Sequence, residues 1–304
     1  MGRTIGVLAA HQIATGLVEH GRIVGSVRLY PESGSSAYFL DGMPAESISQ
    51  CIFDQIEPFL QRESIEAIGV GLPGIIRGGI IQESPNLPQT KGFKLEESLT
   101  VALKDRNLDA PLRIFNDADV IAAGIAATRD QLDKLVRTWH LGHGVGYGRY
   151  PWTAGVWEGG HTVVSLDPKE RFCGCGGRGH LEGIVGGRAM RLRFLDMEPE
   201  EIFANAKAGD PRCAEFVKLW HRALAAATAT NIAMEGPGKF FITGSNAKFI
   251  EIGRLDIYLH EMVRMSALQG SQFEVIATDL ETGIIGAAVN AEIAARGNLA
   301  PHGQ

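Results

Sequence analysis

Segments with strand-like and helix-like apolar periods alternate along the first part of the chain, and this alternation constrains the fold most. The order read from Thr4 onwards is β-β-β-α-β-α-β-α, with a tight turn at His20-Gly21. Strands are predicted over Thr4–Ala10, Ala14–Glu19, Arg22–Tyr30, Ala67–Gly71 and Leu112–Phe115. Helices are predicted over Pro44–Gln61, over Leu95–Asp105 and from Ala118 onwards.

A similar order returns in the second part of the chain. Strands are predicted over Val136–Leu141, Val145–Tyr150, Lys239–Thr243 and Phe273–Ala277, and helices over Pro211–Met234, Ala247–Ser266 and Thr282–Ala295. Strands that alternate with helices indicate an α/β fold, and two copies of one layout indicate two α/β lobes around a central cleft. We expect an N-terminal lobe over residues 1–128 and a C-terminal lobe over 129–304, with the last helix packing back on the first lobe.

Composition excludes several classes of protein. The formal net charge of the 304 residues is −6 and no basic block occurs, so we expect no nucleic-acid partner. No run of 18 apolar residues and no signal-peptide pattern is present, so we expect no membrane partner and a cytoplasmic protein. In that compartment thiols stay reduced, so the four cysteines favour burial or metal binding over disulfides.

The stretch FCGCGGRGHLE (172–182) concentrates potential metal ligands. Cys173, Cys175 and His180 fall within eight residues, and His161 lies 12 residues before Cys173. Thiolate and imidazole are ligands that zinc prefers, and four of them close a tetrahedral structural site. The alternative is two buried cysteines beside two ordinary histidines. A polar, glycine-rich loop offers little core for a thiol, so the spacing favours zinc.

Carboxylates stand near the same elements. Asp117 follows a predicted strand, where it is either a functional carboxylate or the N-cap of the next helix, and on sequence alone the cap is favoured. Glu158 shares the segment WEGGH with His161, and Glu182 follows His180. They are either solvated surface residues or, if a metal fixes the two histidines, rigid acceptors for a polyhydroxylated ligand.

Several motifs together resemble a known family. The stretch EGGHTVVSLDPKERFCGCGGRGHLE (158–182) resembles the E-x-G-H … C-x-C-G-x-x-G-C-x-E signature of the ROK family, a bacterial group of sugar kinases and sugar-responsive repressors. The other matching motifs, in chain order, are GLPGII (71–76), SPNLP (84–88), FNDAD (115–119), LGHGVGYG (141–148), ITGSN (242–246) and IGAA (285–288). The resemblance covers nearly the whole chain.

This resemblance implies a duplicated, ribonuclease-H-like fold of the actin-like ATPase type and a role for each matched residue. Asp117 would be the general base that removes a proton from a sugar hydroxyl. The resemblance implies sugar binding by Asn86, Asn116, Asp117, Glu158, His161 and Glu182. It implies nucleotide binding by Gly142, His143, Gly144 and Gly244. It implies a structural Zn²⁺ held by His161, Cys173, Cys175 and His180, with His180 in place of the family's third cysteine.

The phosphate-facing loops depart from the family pattern. Where the family has D-x-G-G-T, this chain has Leu8-Ala9-Ala10-His11-Gln12, so the magnesium-placing aspartate is Leu8. The family's G-T-G is Gly142-His143-Gly144. Phosphoryl transfer depends on positioning and charge, so these losses reduce what the loops can contribute. Asp119 stands where the family has asparagine, and one hypothesis is that it supplies the missing carboxylate.

The leading hypothesis is therefore an ATP- and Mg²⁺-dependent hexose kinase, glucokinase-like, that forms a dimer or tetramer. The second hypothesis is a non-catalytic sugar-binding protein on a kinase scaffold, because Leu8 to Gln12 is a degenerate loop. A third, a sugar-responsive repressor, needs an N-terminal DNA-binding domain, and we expect none because the first strand begins by Thr4.

Overall fold

The computed structural model describes residues 2–10, 12–32, 39–61, 64–153, 155, 158–195, 197–264, 272–277 and 279–297. Its strands run over Arg3–Ala9 (β1), Ile13–Glu19 (β2), Arg22–Tyr30 (β3), Ile65–Leu72 (β4), Ile75–Arg77 (β5), Ile80–Glu83 (β6), Leu112–Asn116 (β7), Val136–Leu141 (β8), Val145–Tyr150 (β9), Phe240–Thr243 (β10) and Phe273–Val275 (β11). Its α-helices run over Ala45–Leu60 (α1), Leu95–Asp105 (α2), Asp117–Thr128 (α3), Glu182–Val185 (α4), Gly187–Arg193 (α5), Pro199–Lys207 (α6), Pro211–Glu235 (α7), Ile252–Met262 (α8) and Leu280–Ala295 (α9). The predicted α/β class is confirmed.

By its internal contacts the chain divides into two compact units. The first comprises the described parts of residues 1–136, 148–156 and 278–304, and the second those of 137–147 and 157–277. Residues 129–136 thus group with the first unit, and a lobe boundary at residue 128 stays a prediction.

The first unit contains a five-stranded sheet in the order β3-β2-β1-β4-β7. Strand β2 is antiparallel to β1 and β3, whereas β4 is parallel to β1 and β7. The carboxyl ends of β1, β4 and β7 therefore lie at the same edge of the sheet, and β7 leads directly into α3 at that edge.

Both faces of this sheet are covered, which explains why β1 and β4 are almost continuously apolar. Helix α1 buries Ile48, Ile52 and Ile56, which share one face at four-residue spacing. Helix α9 packs on β1 and β4 and against α3. A Cβ atom on Gly6 of β1 would overlap the carbonyl oxygen of Ile284, so the strand and the helix approach this closely only because residue 6 is glycine.

The second unit contains most of the sheet β11-β10-β8-β9, in which β10 is parallel to β8 and β11, while residues 136 and 148–150 of that sheet group with the first unit. Its core contains the fully buried Trp139 of β8 and Trp220 of α7. The Trp139 indole N–H donates to Oγ1 of Thr228 at 3.1 Å, and that of Trp220 donates to the carbonyl oxygen of Val185 at 3.2 Å. The core therefore buries two large rings without leaving their donors unsatisfied.

Some elements were not predicted from the sequence. The hairpin β5–β6 turns at Gly78 and Gly79, both at positive φ. Helices α4, α5 and α6 lie between β9 and α7, where apolar periodicity predicts no element. The predicted helix over residues 247–266 is a short 3-10 helix followed by α8, and residues 265–266 lie outside the described ranges. Among the helices within those ranges, none has the length and apolar character needed to cross a bilayer.

Candidate functional site

The four residues expected to bind metal lie together in the second unit. His161 ends a short 3-10 helix, Cys173 and Cys175 lie in the following glycine-rich turn, and His180 comes just after that turn. One donor atom from each lies within 4.8 Å of the others. The two Sγ atoms are 3.3 Å apart, and Sγ of Cys175 lies 3.2 Å from Nδ1 of His180. This Cys₂His₂ donor set fits a tetrahedral zinc ion.

Glycines shape this segment, which we call the metal turn (residues 172–182). Gly176 and Gly179 have φ values of +80° and +69°, in the left-handed region that favours glycine. A Cβ atom on Gly177 would overlap the ring of His180. Val163 and His180 form an antiparallel bridge that joins the metal turn to the segment after His161. The backbone therefore brings ligands from two segments together.

The two thiols differ in environment. Cys173 is buried, and burial is the main cause that raises the pKa of its thiol to about 12. Cys175 is exposed, so two buried cysteines do not describe this site. Burial also lowers the pKa of His180, which favours the neutral ring that binds metals. A metal ion would supply the positive charge that a buried thiolate requires.

Two carboxylates adjoin the metal cluster. Glu182, at the start of α4, accepts a hydrogen bond from the Val145 N–H through Oε2 at 3.1 Å, and its Oε1 lies 3.4 Å from Sγ of Cys173. Glu158 is more exposed, and its Oε2 lies 3.6 Å from Nδ1 of His161. Each carboxylate is thus next to a potential metal ligand, and Glu182 is not simply a solvated surface residue.

The proposed base lies in the first unit, where β7 becomes α3. Asn116 is the N-cap, since its Oδ1 accepts from the Ala118 N–H at 2.8 Å while its Nδ2 donates to the Gly74 carbonyl at 2.8 Å. Oδ1 of Asp117 also accepts from the Ala118 N–H, at 2.9 Å. The sequence alone favours Asp117 as the N-cap of α3, but in the structure the N-cap is Asn116. Asp117 takes the first helical position, where the helix dipole stabilises negative charge.

Asn86 is exposed in the loop after β6. The buried Ser84 fixes this loop, because its hydroxyl donates to the Pro73 carbonyl at 2.8 Å and accepts from the Leu87 N–H at 3.3 Å. These bonds join the SPNLP motif to the GLPG motif, which Asn116 also binds. Three motifs of the first unit therefore form one hydrogen-bonded group.

Asp119 lies one turn further along α3 from the proposed base. It is only 7% exposed, and its Oδ1 accepts from the backbone N–H of Arg149 at 3.0 Å. Nearby, the rings of Phe115 and Trp152 meet edge to face at 5.7 Å. The Asp119 carboxylate thus holds the segment around Arg149 against α3, which argues against its use as a magnesium ligand.

The β1–β2 turn is the segment that the resemblance aligns with the family's first phosphate loop. Leu8 is 6% exposed and packs on α9, where a Cβ atom on Gly283 would lie 2.7 Å from Cδ2 of Leu8. The Ala10 N–H donates to the Gln12 carbonyl at 3.2 Å and closes the turn. His11 lies outside the described residues. Leu8, which the resemblance aligns with the family's aspartate, is therefore part of an apolar core.

The β8–β9 loop, Gly142-His143-Gly144, is fixed through its backbone. The Gly142 carbonyl accepts from Nδ2 of the buried Asn246 at 3.0 Å, and the His143 carbonyl accepts from the Arg188 N–H at 3.0 Å. Gly244, which follows β10, has φ +96°. The His143 side chain is exposed. The loop is therefore held in place while its central side chain remains accessible.

Two supporting residues, Ser84 and Asn246, were not predicted individually, although both lie within the quoted motifs. Each satisfies a backbone group of a glycine-containing loop. A small polar residue next to such a loop is the signal that could have found them, because the backbone groups of a tight loop need partners.

Comparison with known proteins places these features in one family. The ROK family model matches residues 26–292. A glucokinase from Pyrobaculum calidifontis is 30% identical over 244 residues, which cover 73% of this chain and 77% of that protein.

Solved structures support the fold. The ROK hexokinase from Thermus thermophilus superposes with a TM-score of 0.77 at 23% identity, covering 97% of this chain and 99% of that chain. A ROK family glucokinase from Streptomyces griseus, in complex with glucose and AMPPNP, gives a TM-score of 0.64 at 23% identity, covering 95% and 99%. The expected actin-like ATPase fold is confirmed, and this chain belongs to the ROK family.

Proposed function

We propose that this protein is a sugar kinase that transfers the γ-phosphoryl group of Mg-ATP to a hydroxyl of a hexose, most simply the 6-hydroxyl of glucose. The position of Asp117, at the first residue of a helix and at the carboxyl end of a parallel strand, carries the proposal. Carboxylates at such strand ends are well placed for ligands in α/β proteins. The glucokinase relative supports the same class.

In the proposed mechanism, Asp117 accepts the proton of the sugar hydroxyl. The sugar oxygen then bonds to the γ-phosphorus while the bond from that phosphorus to the bridging oxygen of ADP breaks. The base must be ionised before the reaction, and the N-terminal end of α3 favours a negative charge at this position. Asn116 contributes by capping α3 and by holding the loop at Gly74.

The remaining sugar hydroxyls would be bound by carboxylate, amide and imidazole groups. These groups belong to Asn86, Asn116, Glu158, His161 and Glu182. Ionised carboxylates accept hydrogen bonds from two hydroxyls each, which suits a hexose. The bond from the Val145 N–H to Glu182 fixes one carboxylate oxygen and so limits how that side chain can turn.

We propose that His161, Cys173, Cys175 and His180 hold a structural zinc ion. The donor types and their 4.8 Å grouping support this. Zinc in such a closed site supplies a rigid cross-link rather than a reactive group. The chain's own contribution is to hold Glu158 and Glu182 beside the ligands.

Gly142, His143, Gly144 and Gly244 would contact the nucleotide, with Mg²⁺ bound through its phosphates. The fixed backbone of the β8–β9 loop supports this, because backbone groups that approach phosphate must already be in place. His143 would add a donor to the phosphates in place of the family's threonine.

A second candidate is a sugar-binding protein without kinase activity, and the burial of Leu8 against Gly283 favours it. An apolar side chain there cannot place magnesium. Loss of one preorganised donor or metal contact can lower a rate by about 100- to 1000-fold. The two candidates share the sugar site and differ at the phosphate site.

The test is ADP release by zinc-replete protein with Mg-ATP across glucose, mannose, fructose, N-acetylglucosamine and N-acetylmannosamine. Turnover with one of these sugars supports the kinase and names its substrate. Calorimetry separates the candidates, because a sugar-binding protein would bind sugar without releasing ADP or binding nucleotide. Polyphosphate and ADP are the alternative donors to test if Mg-ATP is inactive.

We also propose that the protein works in the cytoplasm as a homo-oligomer, without a nucleic-acid or membrane partner. The free thiols of the metal turn support a reducing compartment. Size-exclusion chromatography with light scattering measures the oligomeric state.

A further inference from the structure

Arg193, at the end of α5, contacts residues at or beside both ends of the metal turn. Its Nη1 donates to Oε1 of Glu170 at 3.0 Å, and its Nη2 donates to Oε2 of the same residue. Nη2 also lies 3.3 Å from the carbonyl oxygen of Gly183. The guanidinium carbon lies 4.4 Å from the centre of the Phe172 ring. One side chain thus reaches residues on both sides of the metal turn.

The residues that Arg193 contacts lie before and after the proposed ligands of the metal turn in the chain. Phe172 directly precedes Cys173, and Gly183 directly follows Glu182. The carbonyl oxygen of Glu170 accepts from the N–H of Gly179, just before His180, at 2.8 Å. Glu170 therefore binds Arg193 through its side chain and Gly179 of the metal turn through its backbone carbonyl.

The pair is protected from water. The Arg193 side chain is 17% exposed and that of Glu170 is 10% exposed. Charge-assisted, bidentate hydrogen bonds of this kind fix orientation as well as distance. Removing one partner of a largely buried ion pair leaves the charge of the other uncompensated. We therefore expect the Arg193–Glu170 pair to restrain the metal turn more strongly than a solvent-exposed ion pair would.

We propose that Arg193 is a positioning residue for the metal turn, and that it holds Cys173, Cys175, His180 and Glu182 in the arrangement that binds metal and sugar. The proposal rests on the proposed zinc site. It predicts that loss of the Arg193–Glu170 pair speeds metal release and weakens sugar binding, although neither residue is among the proposed metal or sugar ligands.

The same helix provides a matched control. Arg191 forms a comparable pair with Glu198, through Nε at 2.9 Å to Oε1 and Nη2 at 2.6 Å to Oε2. Its side chain is 39% exposed, and Glu198 lies beyond α5 rather than beside the metal turn. Arg191→Gln removes one guanidinium from α5 just as Arg193→Gln does.

The experiment measures the rate at which zinc passes from the zinc-loaded protein to a chromophoric chelator, together with sugar affinity by calorimetry. For Arg193→Gln we expect release to be about 10- to 100-fold faster, the range found when groups that orient metal ligands are removed. Arg191→Gln should stay within about twofold of the original protein. Glu170→Gln, which keeps the size of the side chain, should release zinc faster as well, and it serves if Arg193→Gln does not fold.

Equal release rates and sugar affinities in folded Arg193→Gln, Glu170→Gln and the original protein would overturn the proposal while leaving the zinc site intact. An original protein that binds no zinc would overturn both. Faster release in Arg191→Gln as well would show a general effect of α5 and would also overturn the positioning role.

Discussion

Two turns of this chain depart from the family pattern in opposite ways. In the metal turn, one ligand is exchanged for another: Nδ1 of His180 lies 3.2 Å from Sγ of Cys175 and remains a potential donor. In the β1–β2 turn, Leu8 stands where the resemblance expects an aspartate, and it is buried against α9. His180 keeps a metal-binding side chain at its position, whereas Leu8 offers only apolar packing.

What each side chain packs against decides what its position can do. His180 lies beside the other three potential metal ligands. Leu8 packs against Gly283, which leaves room for the leucine because it has no side chain. His180 thus stands among potential metal ligands, whereas Leu8 stands in apolar packing.

The largest expected effect comes from returning the family's residue to the β1–β2 turn. Leu8→Asp should lower the free energy of unfolding by about 3 kcal/mol, because it places a charge in an apolar core. Denaturant unfolding measures this. Leu8→Asn is the matched neutral control and should cost less. If Leu8→Asp were as stable as the original protein and bound Mg-ATP more tightly, Leu8 would not be committed to packing, and the contrast between the two turns would fail.

Much of the fold was predictable because its signals are local. The bounds of α2, β8 and β9 match their predictions, since apolar periodicity lies within each segment. The hairpin β5–β6 was missed, although Gly78-Gly79 between two apolar pairs is a turn signal. The close spacing of two cysteines and two histidines likewise predicts the group of potential metal ligands.

The rest depended on partners distant in sequence. Nothing near Leu8 reveals that Gly283 leaves room for it, and nothing near Asp119 reveals that it accepts from the N–H of Arg149. Asn116 and Asp117 are adjacent and chemically similar, so the sequence alone could not decide which one caps α3. Tertiary contacts settle such choices.

In the metal turn, Cys175→Ser should lower zinc affinity by at least about 100-fold, because a hydroxyl replaces a thiolate ligand. Metal analysis after dialysis against a chelator measures the loss. Cys51→Ser, at a half-buried cysteine of the first unit, is the control and should leave zinc content unchanged. Full zinc content in Cys175→Ser would remove the cluster from consideration as a metal site.

Asp119 tests whether the phosphate side has a substitute carboxylate. Asp119→Ala should lower the free energy of unfolding by about 1–3 kcal/mol, because the Arg149 N–H loses its acceptor. Asp119→Asn keeps an acceptor oxygen and should cost less. Both should leave the magnesium dependence of turnover unchanged, measured as ADP release across magnesium concentrations. A shifted magnesium requirement in Asp119→Asn would assign the carboxylate to the metal nucleotide instead.

The smallest effect is expected for His180→Cys, which restores the family's ligand and should retain zinc. Burial lowers the pKa of His180, so its ring is already neutral at pH 7 and gives up no proton to bind metal. A thiol, with an ordinary pKa of about 8.5, must give up one. Zinc affinity of the variant should therefore rise more steeply between pH 6.5 and 8 than that of the original protein. Parallel pH profiles from competition titrations would contradict this assignment.

We propose that Asp117 acts as the base of a working sugar kinase, although Leu8 in the β1–β2 turn cannot place magnesium. The most direct measurement is the rate of ADP release by Asp117→Asn at saturating sugar and Mg-ATP, beside the original protein. We expect turnover by the original protein and a loss of at least about 100-fold in the variant, with sugar binding by calorimetry largely kept. Undiminished turnover in Asp117→Asn would contradict the mechanism, and absence of turnover in an original protein that binds sugar would contradict the kinase.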